Sequence, residues 1–159
     1  MTHAQLRAAM ERHGPTVYRL ALCRLQNIQD AQDVYRDVFL RLLEQSADAW
    51  DADHTKAWLI RATLNRCADL GRFRLRRGTI PLEAIADRAA PVATEASELW
   101  EAVSALAPKF RTVVHLHYAE GYSCEEISRI LSLPSSTVRT RLLRAREKLK
   151  TALGGDEHE

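Results

Sequence analysis

The chain predicts an all-α fold: two small helical domains joined by a flexible linker, the second containing a helix-turn-helix. Apolar residues recur at three- and four-residue spacing through most of the 159 residues, the periodicity of a helix with one buried stripe. The alternation that marks strands is absent. Residues 78–97 carry Gly78, Pro81 and Pro91 among alanines and acids, and this stretch is longer than most connections inside a compact domain. The expected organisation is therefore a first domain over 1–77, a linker over 78–97, a second domain over 98–153 and a disordered acidic tail over 154–159.

The first domain starts weakly over 2–12. Pro15 suits the first position of a helix bearing Val17, Tyr18, Leu20, Ala21 and Leu25, because a helix leaves its first N–H groups unbonded anyway. The next helix is clearer: Ile28, Ala31, Tyr35, Val38 and Leu42, widened by Val34, Phe39 and Leu43, form a face suited to a bundle. Asp30, Asp33, Asp37 and Glu44, with Arg36 and Arg41 among them, form the opposite, acidic stripe. After a loop over 47–53, a third helix begins near Thr55 and runs beyond Leu70, with Trp58, Ile60, Leu64 and Cys67 toward the core. Arg61, Asn65, Asp69, Arg72 and Arg76 repeat along another of its faces. That face runs into Arg72-Phe73-Arg74-Leu75-Arg76-Arg77, where cations beside an aromatic suit a nucleic-acid backbone and a stacked base. A solvated face with Phe73 tucked into the core is the plainer reading of the same residues.

Within the linker a short amphipathic piece lies around 82–85. Glu98 then opens a helix with Leu99, Trp100, Val103 and Leu106, and Pro108 starts another with Phe110, Val113, Val114 and Leu116 before Gly121 ends it. Ser123 followed by Glu126 is a capping box for a short helix with Ile127, Ile130 and Leu131 inward. Ser132-Leu133-Pro134 breaks it, and Ser135 or Ser136 is expected to cap the helix that follows. Val138, Leu142, Ala145 and Leu149 form the buried stripe of that last helix. Thr137, Arg141, Arg144 and Lys148 line one flank and Arg139, Arg146 and Lys150 the other, with Ser136, Thr140, Leu143 and Glu147 between. Two cationic flanks can straddle a DNA groove and meet its phosphates, while small hydroxyl residues approach base edges. A basic amphipathic helix on a membrane surface or partner protein is the bland alternative.

Net charge is only +2, but 66–77 and 139–150 are strongly basic and 83–101 is acidic, so two cationic patches point to two contacts on one polyanion. With 46% apolar and 28% charged residues the composition is that of an ordinary globular protein. No run is long enough to insert in a membrane and no signal-peptide pattern opens the chain, so the expected location is cytoplasmic. Cys23, Cys67 and Cys124 are odd in number and far apart, as reduced core thiols are. His115 and His117 stand about 200° apart on a helix and cannot share a metal. Without a phosphate-cradling glycine loop or a nucleophile motif, no catalytic residue, metal or cofactor is expected, and the chain reads as a binding protein rather than an enzyme.

Taken together, the chain resembles an extracytoplasmic-function (ECF) sigma factor of bacterial RNA polymerase, from about Tyr18 to Leu153. Asp30-Ala31-Gln32-Asp33-Val34-Tyr35-Arg36-Asp37-Val38-Phe39 is similar to the family's acidic docking helix, and Ala57-Trp58-Leu59-Ile60-Arg61-Ala62-Thr63-Leu64-Asn65 to its next signature. Ala107-Pro108 with Arg111, Glu120-Gly121-Tyr122-Ser123, Glu126-Ile127 and the run Thr137–Arg146 resemble its carboxy-terminal pattern. The resemblance implies that Asp30, Asp33, Arg36 and Asp37 dock on a coiled coil of the largest subunit of core RNA polymerase. It implies that Asn65, Arg66, Asp69 and Arg72 read the promoter's minus-10 element, with Arg74, Arg76 and Arg77 on phosphates. Ser136, Thr137, Arg139, Thr140, Arg141 and Arg144 would read the minus-35 element of the promoter DNA, and an anti-sigma factor would be the regulatory partner. The chain departs from the pattern at Arg36, where glutamine is usual, at Ala107 for leucine and at Ser136 for glycine. A stand-alone helix-turn-helix transcriptional regulator is the alternative reading, and a metal-dependent helical hydrolase using the Asp30 group comes third.

Overall fold

The structure, a computed structural model, describes residues 1–77 and 95–154, the side chains of 74–77 and 95–97 excepted. The expected linker up to 94, with its 82–85 piece, and tail residues 155–159 lie outside the described residues. All regular structure among the described residues is helical, and the chain divides into two compact units, Met1–Ala89 and Ala90–Glu159.

The first unit packs α1 (His3–Leu25), α2 (Ile28–Leu43) and α3 (Ala52–Arg77) around one core. Contrary to expectation, α1 is continuous through Pro15. Thr2 and Gln5 close a capping box, with the Thr2 hydroxyl accepting from the Gln5 N–H at 3.1 Å and the Gln5 side chain accepting from the Thr2 N–H at 2.8 Å. The residue before Pro15 is Gly14, which has no Cβ to clash with the proline ring, so it stays helical where other residues are pushed extended. Gly14 is also where α1 approaches α2: an added Cβ would lie 2.8 Å from the Tyr35 hydroxyl oxygen. Val17 and Ala21 of α1 share one core with Ala31, Val34, Val38, Phe39 and Leu42 of α2 and Leu59 and Cys67 of α3, and Leu20, Ile60 and Leu64 are buried as well.

Caps set the ends of these helices. Asn27 accepts from the Asp30 N–H at 2.9 Å. Asp51 accepts from the His54 N–H at 2.8 Å, so α3 begins at Ala52, three residues before the start expected at Thr55. Burial pushes the Cys67 thiol up to about 12, which makes it an inert core residue rather than a nucleophile. Cys23 is buried as expected, whereas Cys124 is only half-buried.

The second unit consists of α4 (Glu95–Ser104), α5 (Pro108–Val114), a π-helical turn (His115–Ala119), α6 (Cys124–Leu131) and α7 (Ser135–Ala152). Arg111 is buried and donates to the carbonyls of Ser104, at 3.4 Å, and Leu106, at 2.5 Å. It thereby satisfies backbone oxygens that the end of α4 leaves open. The π turn, which the sequence did not announce, is held on both sides: His115 Nε2 lies 3.1 Å from the nearly buried Glu120 carboxylate, and His117 Nδ1 lies 2.8 Å from the Tyr122 carbonyl. Gly121 follows at φ 78, a left-handed conformation that glycine adopts at little cost.

The capping box expected at Ser123 is present, with reciprocal bonds to Glu126 of 3.1 and 2.8 Å. Those bonds hold the Glu126 carboxyl below the ordinary glutamate range. The turn then forms at Ser132, in a left-handed conformation at φ 56, with the Leu133 N–H donating to the Ser128 carbonyl at 3.0 Å. The serine cap expected for α7 is absent. Pro134 takes the cap position and Ser135 is already helical, so neither serine hydroxyl satisfies the first free N–H groups.

Candidate functional site

α7 packs Val138, Leu142 and Ala145 against α5 and α6 and turns its basic face outward. Ser136, Thr140 and Arg144 are exposed, Thr137 and Arg141 half-buried, and Leu143 stands 54% exposed on the same outward side. One helix face thus presents cations, hydroxyls and one apolar contact, the mixture that both grips phosphates and touches base edges.

The two flanks, alike in sequence, are not alike in the fold. Arg139 donates to Glu125 of α6 at 3.2 Å and to the Ser135 hydroxyl at 3.4 Å. Arg146 donates to the Tyr118 hydroxyl and lies over the Tyr118 ring, 5.6 Å from its centroid. On the other flank, neither Arg141 nor Arg144 pairs with a carboxylate among the described residues. Thr137, Thr140, Arg141 and Arg144 instead line a cleft closed on its far side by Lys109 and Phe110 of α5. Nothing in the linear pattern marked Lys109; only the packing of α5 on α7 brings it there.

In the first unit, Asn65, Asp69 and Arg72 are exposed on α3, with an Asp69–Arg72 ion pair between them. Phe73 is 48% exposed, so the core-packed reading of this aromatic does not hold. Arg66 is half-buried and donates through Nε to Asp37 of α2 at 3.0 Å; Asp37 also pairs with Arg41 at 3.3 Å. The structure thereby joins a residue expected on DNA to one expected on the polymerase. The side chains of Arg74, Arg76 and Arg77 lie outside the described residues.

The acidic stripe of α2 needs one correction. Asp33 and Arg36 are exposed and paired at 2.6 Å, but Asp30 is only 6% exposed. It sits buried in the first turn of α2, close enough to Cys67 of α3 for its charge to act on that thiol. The outward charges of this face are therefore Asp33, Arg36 and Asp37. Leu40, missed in the sequence reading, is 60% exposed one turn beyond Arg36. An apolar residue on an otherwise charged helix face was the available signal.

Among the described residues no group of three or more His, Cys, Asp or Glu could hold a metal ion, and no helix is long and apolar enough to cross a membrane. Residues 9–78 match the family model for sigma-70 region 2, and residues 96–149 match that for sigma-70 region 4. The chain is 32% identical to the ECF RNA polymerase sigma factor SigE of Mycolicibacterium smegmatis, covering 91% of this chain but 60% of that protein, so it spans less than two thirds of that relative. It is 33% identical to SigM of Mycobacterium tuberculosis, covering 90% of this chain and 74% of SigM, and 30% identical to SigW of Bacillus subtilis, covering 86% and 82%. Of solved structures, CnrH in complex with the cytosolic domain of CnrY matches at TM-score 0.67 and 30% identity, over 98% of this chain and 91% of CnrH. The sigma factor RpoE in complex with the anti-sigma factor NepR from Bartonella quintana has the same fold, at TM-score 0.78 and 19% identity, over 94% and 96% of the two chains. The region 2 match leaves the stand-alone regulator without support.

Proposed function

We propose a function from one premise: the chain belongs to the family of ECF RNA polymerase sigma factors. It binds core RNA polymerase and directs promoter-specific initiation by recognising minus-10 and minus-35 elements. It is a binding subunit, not a catalyst, and works in the cytoplasm with the polymerase. The observation that supports this most is that matches to both sigma regions fall in order on one chain, over 9–78 and 96–149.

Asp33, Arg36 and Asp37 dock on the largest-subunit coiled coil. Asn65, Arg66, Asp69 and Arg72, with Arg74, Arg76 and Arg77 on phosphates, engage the minus-10 element. An unstacked base needs a pocket and cations because leaving the duplex costs a few kcal/mol, and the exposed Phe73 beside Arg72 offers a stacking surface. Ser136, Thr137, Arg139, Thr140, Arg141 and Arg144 read the minus-35 duplex. An anti-sigma factor is the regulatory partner, by analogy with the complex of the sigma factor RpoE with the anti-sigma factor NepR. The test is transcription in vitro with core polymerase and a promoter library: a defined two-element motif should emerge among the transcribed templates, and initiation no better with the chain than without it overturns the proposal.

A further inference from the structure

We infer that α1 is divided by an acid-sensitive hinge over 13–15, and that protonation of His13 releases its amino-terminal half from the bundle while the carboxy-terminal half stays docked. The hinge is independent of any reading of α7 or of promoter DNA.

The two halves are held unequally. Beyond the hinge Val17, Leu20 and Ala21 are fully buried. Before it no residue of 1–12 is buried, and Leu6, Ala9 and Met10 are only half-buried against the core. Leu6, Met10 and the charged residues Arg7 and Glu11 stand around an open cleft with Tyr35 of α2, so water already reaches the seam between this half and α2. A segment that buries little apolar surface opens at the least cost. The backbone is also weakest where the halves meet. Pro15 lies inside the helix and has no N–H to give the Glu11 carbonyl, so the ladder of α1 lacks a bond there. Gly14 is a poor helix former, and packing forbids a better one, since an added Cβ would lie 2.8 Å from the Tyr35 hydroxyl oxygen.

His13 supplies the trigger. It is the first buried residue of the helix, 6% exposed, and it adjoins the Gly14–Pro15 step. The charges that act on it are Arg12 of α1 and Lys56 of α3, both cations, and they add to the effect of burial in holding its proton affinity below the ordinary 6.5. Protonation there would place a third positive charge beside these two in a site closed to water. Swinging the amino-terminal half into solvent hydrates that charge. The open form therefore binds the proton more readily, so the closed form is favoured above about pH 6.5 and opening grows as pH falls toward the depressed value. His3, on the same half, is exposed, so its protonation favours neither form.

The test is amide hydrogen exchange on the full chain at about pH 7.5 and about pH 5.5, on either side of the ordinary histidine range, corrected for the intrinsic exchange rate. Protection over 6–13 should fall several-fold at the lower pH, with 17–25 and 30–42 unchanged, and should return when the pH is raised. His13→Gln and His13→Met, one polar and one apolar, should each remove the pH dependence, whereas His3→Gln should keep it. Lys56→Gln, which leaves His13 in place and removes one of the two cations, should make the fall smaller. Pro15→Ala supplies the missing donor and should raise protection over 6–13 at both pH values. Equal loss of protection across α1, α2 and α3 would mean that the first unit opens as a whole, and overturns the hinge. So does protection over 6–13 that is the same at both pH values, or that Pro15→Ala leaves unchanged. A pH dependence that persists in both His13 variants, or is undiminished in Lys56→Gln, overturns His13 as the trigger.

Discussion

The described charges of α2 and α3 are largely paired within their own unit, whereas one flank of α7 is not. Arg36 pairs with Asp33, Arg66 and Arg41 with Asp37, and Arg72 with Asp69; Arg141 and Arg144 share their cleft with a lysine, a phenylalanine and hydroxyls, and with no carboxylate. Exposed pairs contribute about 0–1 kcal/mol each, so the first unit can exchange them for a partner's charges at little cost and gains mainly through geometry. The α7 flank gains from a polyanion directly, by releasing counterions from DNA. The difference suggests two modes of recognition in one chain: steep, salt-sensitive binding through α7, and shallower, shape-dependent binding through α2 and α3.

The largest effect should come from Arg141→Glu combined with Arg144→Glu. At about 1–3 kcal/mol per arginine, minus-35 affinity should fall roughly 100-fold or more, with polymerase association intact. Unchanged promoter occupancy would break the comparison at its stronger end. Next, Asp33→Lys with Asp37→Lys should weaken core polymerase binding by about 10-fold, on the order of 1.4 kcal/mol, read by competition with wild type. Normal co-purification with polymerase would remove the docking role from this face. Asp69→Asn releases Arg72 and should sharpen the contrast: affinity for minus-10 single strands should rise a few-fold and become more salt-dependent. No change in the slope would mean that the Asp69–Arg72 pair does not mask the arginine.

The smallest effects concern pH and separate the two units. Burial, with Arg12 and Lys56 nearby, lowers the affinity of His13 for a proton below its ordinary 6.5. The unfolded chain therefore binds that proton more readily, so the first unit keeps its full stability above about pH 6.5 and loses it as pH falls toward the depressed value. Glu126, held low by Ser123 from an ordinary 4.5, contributes above that value and its contribution fades only in more acid solution. Thermal melts between pH 7.5 and 2.5 should thus show a first decline that His13→Gln abolishes and a later one, below 4.5, that Glu126→Gln abolishes. A single decline, insensitive to both, would show that neither group governs acid stability.

Much of this was legible because local rules decide it. The spacing of Ala31, Val34, Val38 and Leu42 fixed which side of α2 faces the core, although Ile28, expected on that face, is 39% exposed at the start of the helix, and Ser123 with Glu126 fixed where α6 begins. Where local rules competed, the reading slipped. Pro15 signals a helix start, but Gly14 before it and packing on both sides keep α1 unbroken. Serine at 135 or 136 signals a cap, but Pro134 takes that place and draws Ser135 into the helix. Asp30 matches the helical phase of Asp33 and Asp37, yet periodicity along one helix cannot register that its first turn is buried in the tertiary fold.

By itself the sequence determined an all-helical chain with a capped helix-turn-helix and cationic flanks on its last helix, because caps, breaks and 3.6-residue periodicity act between near neighbours. Only the tertiary structure decided which of those cations stand open. Arg139 meets Glu125, Arg146 meets Tyr118, Arg66 meets Asp37, and Lys109 joins Arg141 and Arg144. Each of these involves a side chain on another helix or turn, and interhelical packing sets those distances while leaving no periodic trace along the chain.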